Sequence, residues 1–403
     1  MLQPQQVEEL REALNKGERP TTIGGITISS FQIAAPEDMQ SVTRLRSRGV
    51  FYPPQRIIGQ PDIPACMKHV VHTTILDTPT QVISLENAMI VGNKGVLTKE
   101  GMLYNSAPIT RNNLSESLNE NRKNHDGFAI HETGKEYICY YASRENPKNI
   151  HGHALFLPNW EPANYGSFIF RQLPQLIYLN KLKLYFDFYV AERTTWLLEA
   201  IDALGLPKKP VFNIKEVSGD RFSHIIFIDY FEAEGYLDQY TRNAALDIAQ
   251  SIKARPEASS IMRPNIYVSR SLSNISRPWY RVLLNEEDVE SAFSNAGFHI
   301  VYPETLSFID QMKLYAGARK IVGLSGSGMF NTIFSIPGSK VVDIESFTWN
   351  VGQHSKFYSS CGMNYALAFG SLTDKIHSPA LSSWCLRMDT VSEIIAWLRK
   401  DAP

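Results

Sequence analysis

The sequence predicts an α/β protein: two Rossmann-like domains facing a cleft, preceded by a β-rich N-terminal segment. Three observations carry that expectation. From about residue 154 onward, apolar runs of strand length alternate with helix-patterned stretches. Repeated strand–helix units of this kind build parallel sheets with right-handed crossovers. The alternation is broken at Arg255-Pro256-Glu257-Ala258-Ser259-Ser260, which has linker composition. Residues 21–110 instead carry short β-branched runs broken by Asn and Gly, the usual hairpin signals. The expected division is therefore 1–110, 111–257 and 258–403.

Taken in order, the elements are as follows. Leu10, Leu14 and the charges around them predict a helix within 1–20. Ile26–Ile28, Val82–Leu85, Ala88–Val91 and Gly95–Leu97 are strand candidates. Residues 111–135, rich in Asn, predict a loop or loose helix. Ala154–Leu157 is a strand, Tyr165–Asn180 a helix, and Leu184–Val190 a strand. Thr194–Leu204 is a helix stopped by Gly205 and Pro207. Ile225–Ile228 and Tyr240–Ala254 follow as strand and helix. Beyond the linker come strands at Ile266–Val268, Phe298–Val301, Lys320–Val322 and Lys340–Asp343. Helices at Glu286–Ala296, Phe308–Ala316 and Gly328–Phe334 separate them.

The bulk composition excludes several classes. The chain has 403 residues with 43% apolar and 20% charged, so it can bury a core without staples. A formal net charge of −1, with no long run of one sign, argues against a nucleic-acid partner. Cys66, Cys139, Cys361 and Cys385 form no C-x-x-C pattern. Scattered thiols of this kind suit a reducing compartment better than a metal cluster or disulfide framework. The N-terminus lacks a signal-peptide core, and no apolar stretch reaches membrane-spanning length. The expected location is the cytoplasm, with any membrane association peripheral, through a substrate or partner.

The sharpest local feature is Lys320-Ile321-Val322-Gly323-Leu324-Ser325-Gly326-Ser327-Gly328-Met329-Phe330-Asn331. An apolar strand runs into a Gly/Ser turn, and a helix starts at once. Unpaired N–H groups and the positive dipole end suit an anion there, and glycines admit its close approach. The competing reading is a structural turn with a serine cap. No Gly-Lys-Ser/Thr follows, so this is no P-loop, and Asn331 spoils a dinucleotide fingerprint. Arg270 follows the strand Tyr267-Val268, with Arg277 and Arg281 beyond. Guanidinium groups at that edge could clamp a diphosphate, or simply form a solvated basic loop. Glu304 and Glu345 also follow strands, placed to accept from hydroxyls or to cap helices.

These pieces resemble glycosyltransferase family 61, which includes bacterial capsule and surface-polysaccharide enzymes. The similarity covers most of 80–350 and is strongest over 264–345. Its carriers are Tyr267-Val268-Ser269-Arg270, Pro303-Glu304-x-Leu306-Ser307-Phe308-x-x-Gln311, Ala318-Arg319-x-Ile321-Val322-Gly323-x-x-Gly326-x-Gly328-x-x-Asn331, and Pro337-Gly338-x-x-Val341-x-x-x-Glu345, in family order. The resemblance implies a GT-B fold and inverting transfer from a nucleotide-sugar to a glycan, lipid-linked or protein acceptor, without a cofactor or obligatory metal. It makes 111–257, with the preceding segment, the acceptor domain and 258–403 the nucleotide-sugar domain. The donor set it implies is Arg270, Arg277, Arg281, Glu304, Ser325, Gly326, Ser327, Gly328, Asn331 and Glu345. Self-association into a homo-oligomer stays open.

Two positions depart from the family pattern. Ser325 stands where G-x-H-G-A-G has histidine. Asn164-Tyr165-Gly166-Ser167 replaces an aromatic-Gly-His motif, and Arg171 takes the place of its following Glu. Asn164, Tyr165, Ser167 and Arg171 are therefore the acceptor-side candidates. The base that inversion requires is expected among His151, His153 and Asp126. The alternative is a catalytically weakened member that binds nucleotide-sugar as a regulatory partner.

Overall fold

The computed structural model describes residues 3–33, 42–59, 74–99, 103–105, 128–133, 136–159, 161, 163–230, 237–254, 259–278, 280–346, 351–373 and 382–400. It is a mixed α/β protein with several sheets. The chain divides into two compact units, Met1–Arg46 with Pro79–Phe231, and Ser47–Thr78 with Glu232–Pro403. Residues 255–258 of the expected linker and Cys66 lie outside the described residues. Cys139, Cys361 and Cys385 are free thiols, the first two buried. Among the described residues, no helix is long and apolar enough to cross a membrane.

The first unit begins with the expected helix, Pro4–Asn15, whose Val7, Leu10 and Leu14 bury against Ile28, Tyr140 and Ala142. That core covers an antiparallel sheet ordered Thr22–Ile23, Ile26–Ile33, Glu136–Ala142, Phe128–Thr133. The last of these falls in the segment expected as a loop. Its backbone pairs along Glu136–Ala142, a partner that local polarity does not reveal. The rest of the expected loop, 111–127 and 134–135, lies outside the described residues.

The larger sheet of this unit is mixed. Val211–Asn213, Phe188–Ala191, Asn149–Phe156 and Arg221–Tyr230 run parallel. Thr74–Val91 then pairs antiparallel with Arg221–Tyr230, merging two expected strands into one. Gly95–Leu97 and Leu103–Asn105 extend the antiparallel side. The expected helix at 165–180 is continuous from Tyr165 to Leu182, but Phe168–Gln172 adopts π-helical bonding.

The second unit contains a six-stranded, all-parallel sheet. Its strands are β1 (Arg56–Ile58), β2 (Asn265–Val268), β3 (His299–Val301), β4 (Lys320–Leu324), β5 (Lys340–Glu345) and β6 (Asn364–Phe369). The spatial order is β3-β2-β4-β5-β6-β1. Strands such as β5 are buried along their whole length, as a sheet covered on both faces requires. Helices α1 (Gln239–Lys253), α2 (Glu286–Asn295), α3 (Phe308–Gly317), α4 (Val351–Ser360) and α5 (Met388–Arg399) belong to the same unit, as does the short helix Ser271–Ser276. Phe293 of α2 stacks on Tyr267 of β2 at 4.8 Å between ring centroids, in a core with Val322, Val342 and Ile394. The chain passes from β2 out to β3 and then back to β4, so the strand order reverses between β2 and β4. In such sheets ligands bind in the crevice at the carboxyl ends of the strands beside that reversal.

Candidate functional site

Arg270 and the Gly/Ser turn follow β2 and β4, the two strands that flank the reversal. The expected helix after β4 is a 3-10 helix, Ser327–Phe334, rather than an α-helix. The glycines have a packing role that the sequence reading assigned to anion approach. A Cβ on Gly323 would sit 2.6 Å from Val268 Cβ and 2.8 Å from both Val268 O and Met329 Sδ. One on Gly328 would sit 2.9 Å from Pro303 Cγ. Only Gly326 faces the candidate anion binder, with Arg270 Nη1 at 3.2 Å from the same construction.

Arg270 is held from below. Its backbone N–H donates to Glu286 Oε1 at 2.8 Å, and Ser269 Oγ donates to the same oxygen at 2.8 Å. Burial pushes the Glu286 carboxyl above its usual range, against the lowering effect of these two bonds. The Arg270 guanidinium donates from Nη1 to the Ser325 carbonyl at 2.8 Å. Burial and then the charge of Arg281 pull Arg270 down to about 10, so it stays cationic at neutral pH.

Arg281 is the most constrained residue of the group. Its backbone is left-handed, with φ 51°, a conformation that costs a side-chain-bearing residue of order 1–3 kcal/mol. The residue is 8% exposed, and its buried Nε has no hydrogen-bond partner. Both guanidinium groups lie by the Tyr280 ring, Arg281 at 5.0 Å and Arg270 at 5.5 Å from its centroid. With Ser325, Glu345, Ser346 and the Trp384 ring they line a cavity of about 10 Å³, room for roughly one water. Glu345 Oε2 and Ser346 Oγ also lack partners there.

Behind the turn lies a buried polar cluster. Ser325 Oγ donates to Glu345 Oε1 at 2.6 Å and lies 3.3 Å from His354 Nδ1. His354 Nδ1 is 2.5 Å from Asp343 Oδ2. A carboxylate can only accept, so as a hydrogen bond to ionised Asp343 this contact requires the proton on Nδ1. Burial pushes the Glu345 carboxyl up to about 7; Asp343 adds to the rise, while His354 and the Ser325 hydroxyl oppose it. Asp343, Glu345 and His354 bring one nitrogen and two carboxylates within 4.8 Å, a donor set open to a divalent cation. Arg281 also supplies positive charge to Glu345, as the smallest of the influences on its carboxyl.

The other expected donor residues are placed differently. Arg277 and Glu304 are exposed and do not line the cavity. Asn331 is fully buried, its amide donating to Gln311 Oε1 at 2.7 Å and to the Gly328 carbonyl at 3.1 Å. It ties the 3-10 helix to α3. His354, missed in the sequence, lies on a helix no motif marks; its imidazole is visible as functional only through its partners.

In the first unit, the acceptor-side candidates gather just past the carboxyl end of Asn149–Phe156. Asn164 caps the helix, its Oδ1 accepting from Gly166 N at 2.8 Å, while its Nδ2 donates to Glu161 Oε2 at 2.9 Å. Tyr165 packs edge-on to Trp196 at 5.7 Å. Buried Ser167 donates to Asn159 Oδ1 and accepts from Arg171 Nη1, the latter at 2.8 Å. The π-helical turn begins right after Ser167, a distortion frequent at functional sites. His151 and His153 sit instead toward the amino ends of the parallel strands. His153 is bonded to Asp187 Oδ2 through its backbone N at 2.8 Å and Nδ1 at 3.3 Å, with the His224 ring 4.8 Å away. His151 Nδ1 is 3.3 Å from Ser223 Oγ. Asp126 lies outside the described residues.

The all-parallel sheet thus carries two arginines and a glycine turn beside its strand-order reversal. Residues 165–342 match the sequence profile of the family Glycosyltransferase 61. Over that segment the chain is similar to this family of glycosyltransferases. No curated protein matches the chain.

Proposed function

We propose that the chain is a cytoplasmic, inverting glycosyltransferase that moves a sugar from a nucleotide-sugar to a glycan of the surface- or capsular-polysaccharide kind, or to a protein. In this reading the two units are the halves of a GT-B-like transferase. The donor diphosphate lies against Arg270, Arg281 and the 325–328 turn; Asn164, Tyr165, Ser167 and Arg171 lie on the acceptor side, and no metal is required. One observation carries the reading. Two guanidinium groups are pinned beside one tyrosine ring, close enough for one to lower the other's pKa. One of them is held in a left-handed backbone with a buried N–H unpaired. A bound diphosphate relieves both the repulsion and the missing hydrogen bond.

The test is a thermal-shift and saturation-transfer screen of the full chain across nucleotide-sugars, followed by turnover of whichever binds. The reading expects stabilisation by one donor class and release of its nucleoside diphosphate with an acceptor present. Binding without hydrolysis or transfer would support the regulatory alternative that Ser167 and Ser325 suggest. Absence of binding by every donor would remove the donor site altogether.

A further inference from the structure

Ser325 is gripped on three sides. Its N–H donates to the Ile344 carbonyl at 2.9 Å, and its own carbonyl accepts from Arg270 Nη1 at 2.8 Å. Its hydroxyl donates to Glu345 Oε1 and faces His354 Nδ1. His354 is 2% exposed, and α4 holds its ring edge-on to Phe330 at 4.7 Å and to Tyr358 at 6.0 Å. Tyr358 OH lies 3.5 Å from the same Nδ1.

Asp343 and Glu345, two residues apart on β5, project from the same face of the strand. Each is fully buried and each has one carboxyl oxygen without a partner, Oδ1 and Oε2. The Nδ1–H of His354 is thus the donor that holds Asp343 Oδ2 and stands next to the Ser325 hydroxyl. Without it, Asp343 keeps the Tyr358 hydroxyl as its side-chain partner and loses the imidazole. The Ser325 hydroxyl then loses the imidazole beside it, and the residue whose carbonyl Arg270 holds loses one of the side-chain contacts that fix it.

We propose that His354 is a positioning residue of the donor site, acting through Ser325 on the Arg270 guanidinium. It supplies, from a different element, an imidazole next to a position where the resemblance expects one. The inference rests on the donor reading above. It concerns affinity for the diphosphate, and His354 itself touches no substrate.

The test is calorimetric titration of the full chain with UDP, GDP and inorganic pyrophosphate. The variants are Arg270→Ala, His354→Ala, His354→Asn, Ser325→Ala and the double variant Arg270→Ala/His354→Ala, each with its Tm recorded. His354→Ala is expected to weaken binding about tenfold, roughly the value of one charge-assisted hydrogen bond. His354→Asn, whose amide N–H stands near the place of Nδ1, is expected to restore binding to within about threefold. In the Arg270→Ala background, His354→Ala is expected to cost little more, because the two act in series. Ser325→Ala removes one oxygen and is expected to weaken binding like His354→Ala, which keeps the test decisive if His354→Ala does not fold. Wild-type affinity in folded Ser325→Ala or His354→Ala overturns the inference while leaving the donor reading in place. Additive losses from His354→Ala and Arg270→Ala also overturn it. One equivalent of Zn²⁺ bound by the wild type and lost in His354→Ala would replace it with a metal site. Failure of the wild type to bind any of the three probes removes the donor reading itself.

Discussion

Ser325 and Ser167 fall in two different motifs of the family pattern, each standing where the resemblance expects a histidine, yet their surroundings differ. Ser325 sits among Glu345, Asp343 and His354, so an imidazole remains at the hydroxyl, delivered by α4. Ser167 bonds to Asn159 and to the Arg171 guanidinium instead. The same substitution thus leaves an acidic, imidazole-containing network in one unit and a cationic pair in the other. A residue missing from a motif is therefore no measure of lost chemistry until its neighbours are known.

The largest effect expected around Ser325 comes from its close-packed turn. Gly323→Ala forces a Cβ into the Val268 backbone and side chain and should lower unfolding free energy by about 3 kcal/mol. Gly326→Ala, which meets only the flexible end of Arg270, should cost much less, and denaturant unfolding of the pair measures the contrast. Around Ser167, Asn159→Ala leaves the buried Ser167 hydroxyl without its acceptor. It should cost about 2 kcal/mol with donor affinity unchanged.

The third expectation concerns pH. Glu345 has its pKa raised by burial from the ordinary 4.5 to about 7 in the fold. Between those values the native state holds a proton that the unfolded chain has released. Stability should therefore fall as pH rises through that window, by about 1–3 kcal/mol, and level off above it. Glu345→Gln should flatten the dependence, which Tm measured from pH 5 to 8 would show. A wild-type Tm independent of pH over this range would place no buried proton at Glu345. The smallest effect is expected at His153. Bonded to Asp187 near the amino ends of its strands, it should leave nucleoside diphosphate affinity unchanged when replaced by Ala.

Much of the second unit was legible because its strands are continuous apolar runs closed by Gly, Pro or polar caps. β2 to β5 lie close to where the pattern predicts them, and Arg270 and the turn follow from that placement. β1 was not legible as part of that sheet. Arg56–Ile58 is three residues far upstream, and only pairing with β6 gives it a place. Phe128–Thr133 was missed for the same reason, a strand defined by its partner. In the candidate site, the sequence left Arg281 between a phosphate clamp and a solvated loop residue, because burial beside Tyr280 and Trp384 is a tertiary property. His354 carries no local signal. Asn331 matched a motif, but its amide is committed to Gln311 and Gly328.

The proposed donor site on the second unit stands or falls on Arg270. Calorimetry of a nucleoside diphosphate against wild type and Arg270→Ala measures it directly. The expected result is a saturable wild-type isotherm weakened by about 10- to 100-fold in the variant, the range for a charge-assisted contact to phosphate. Equal affinity in the two proteins would contradict the placement of the diphosphate at the strand reversal.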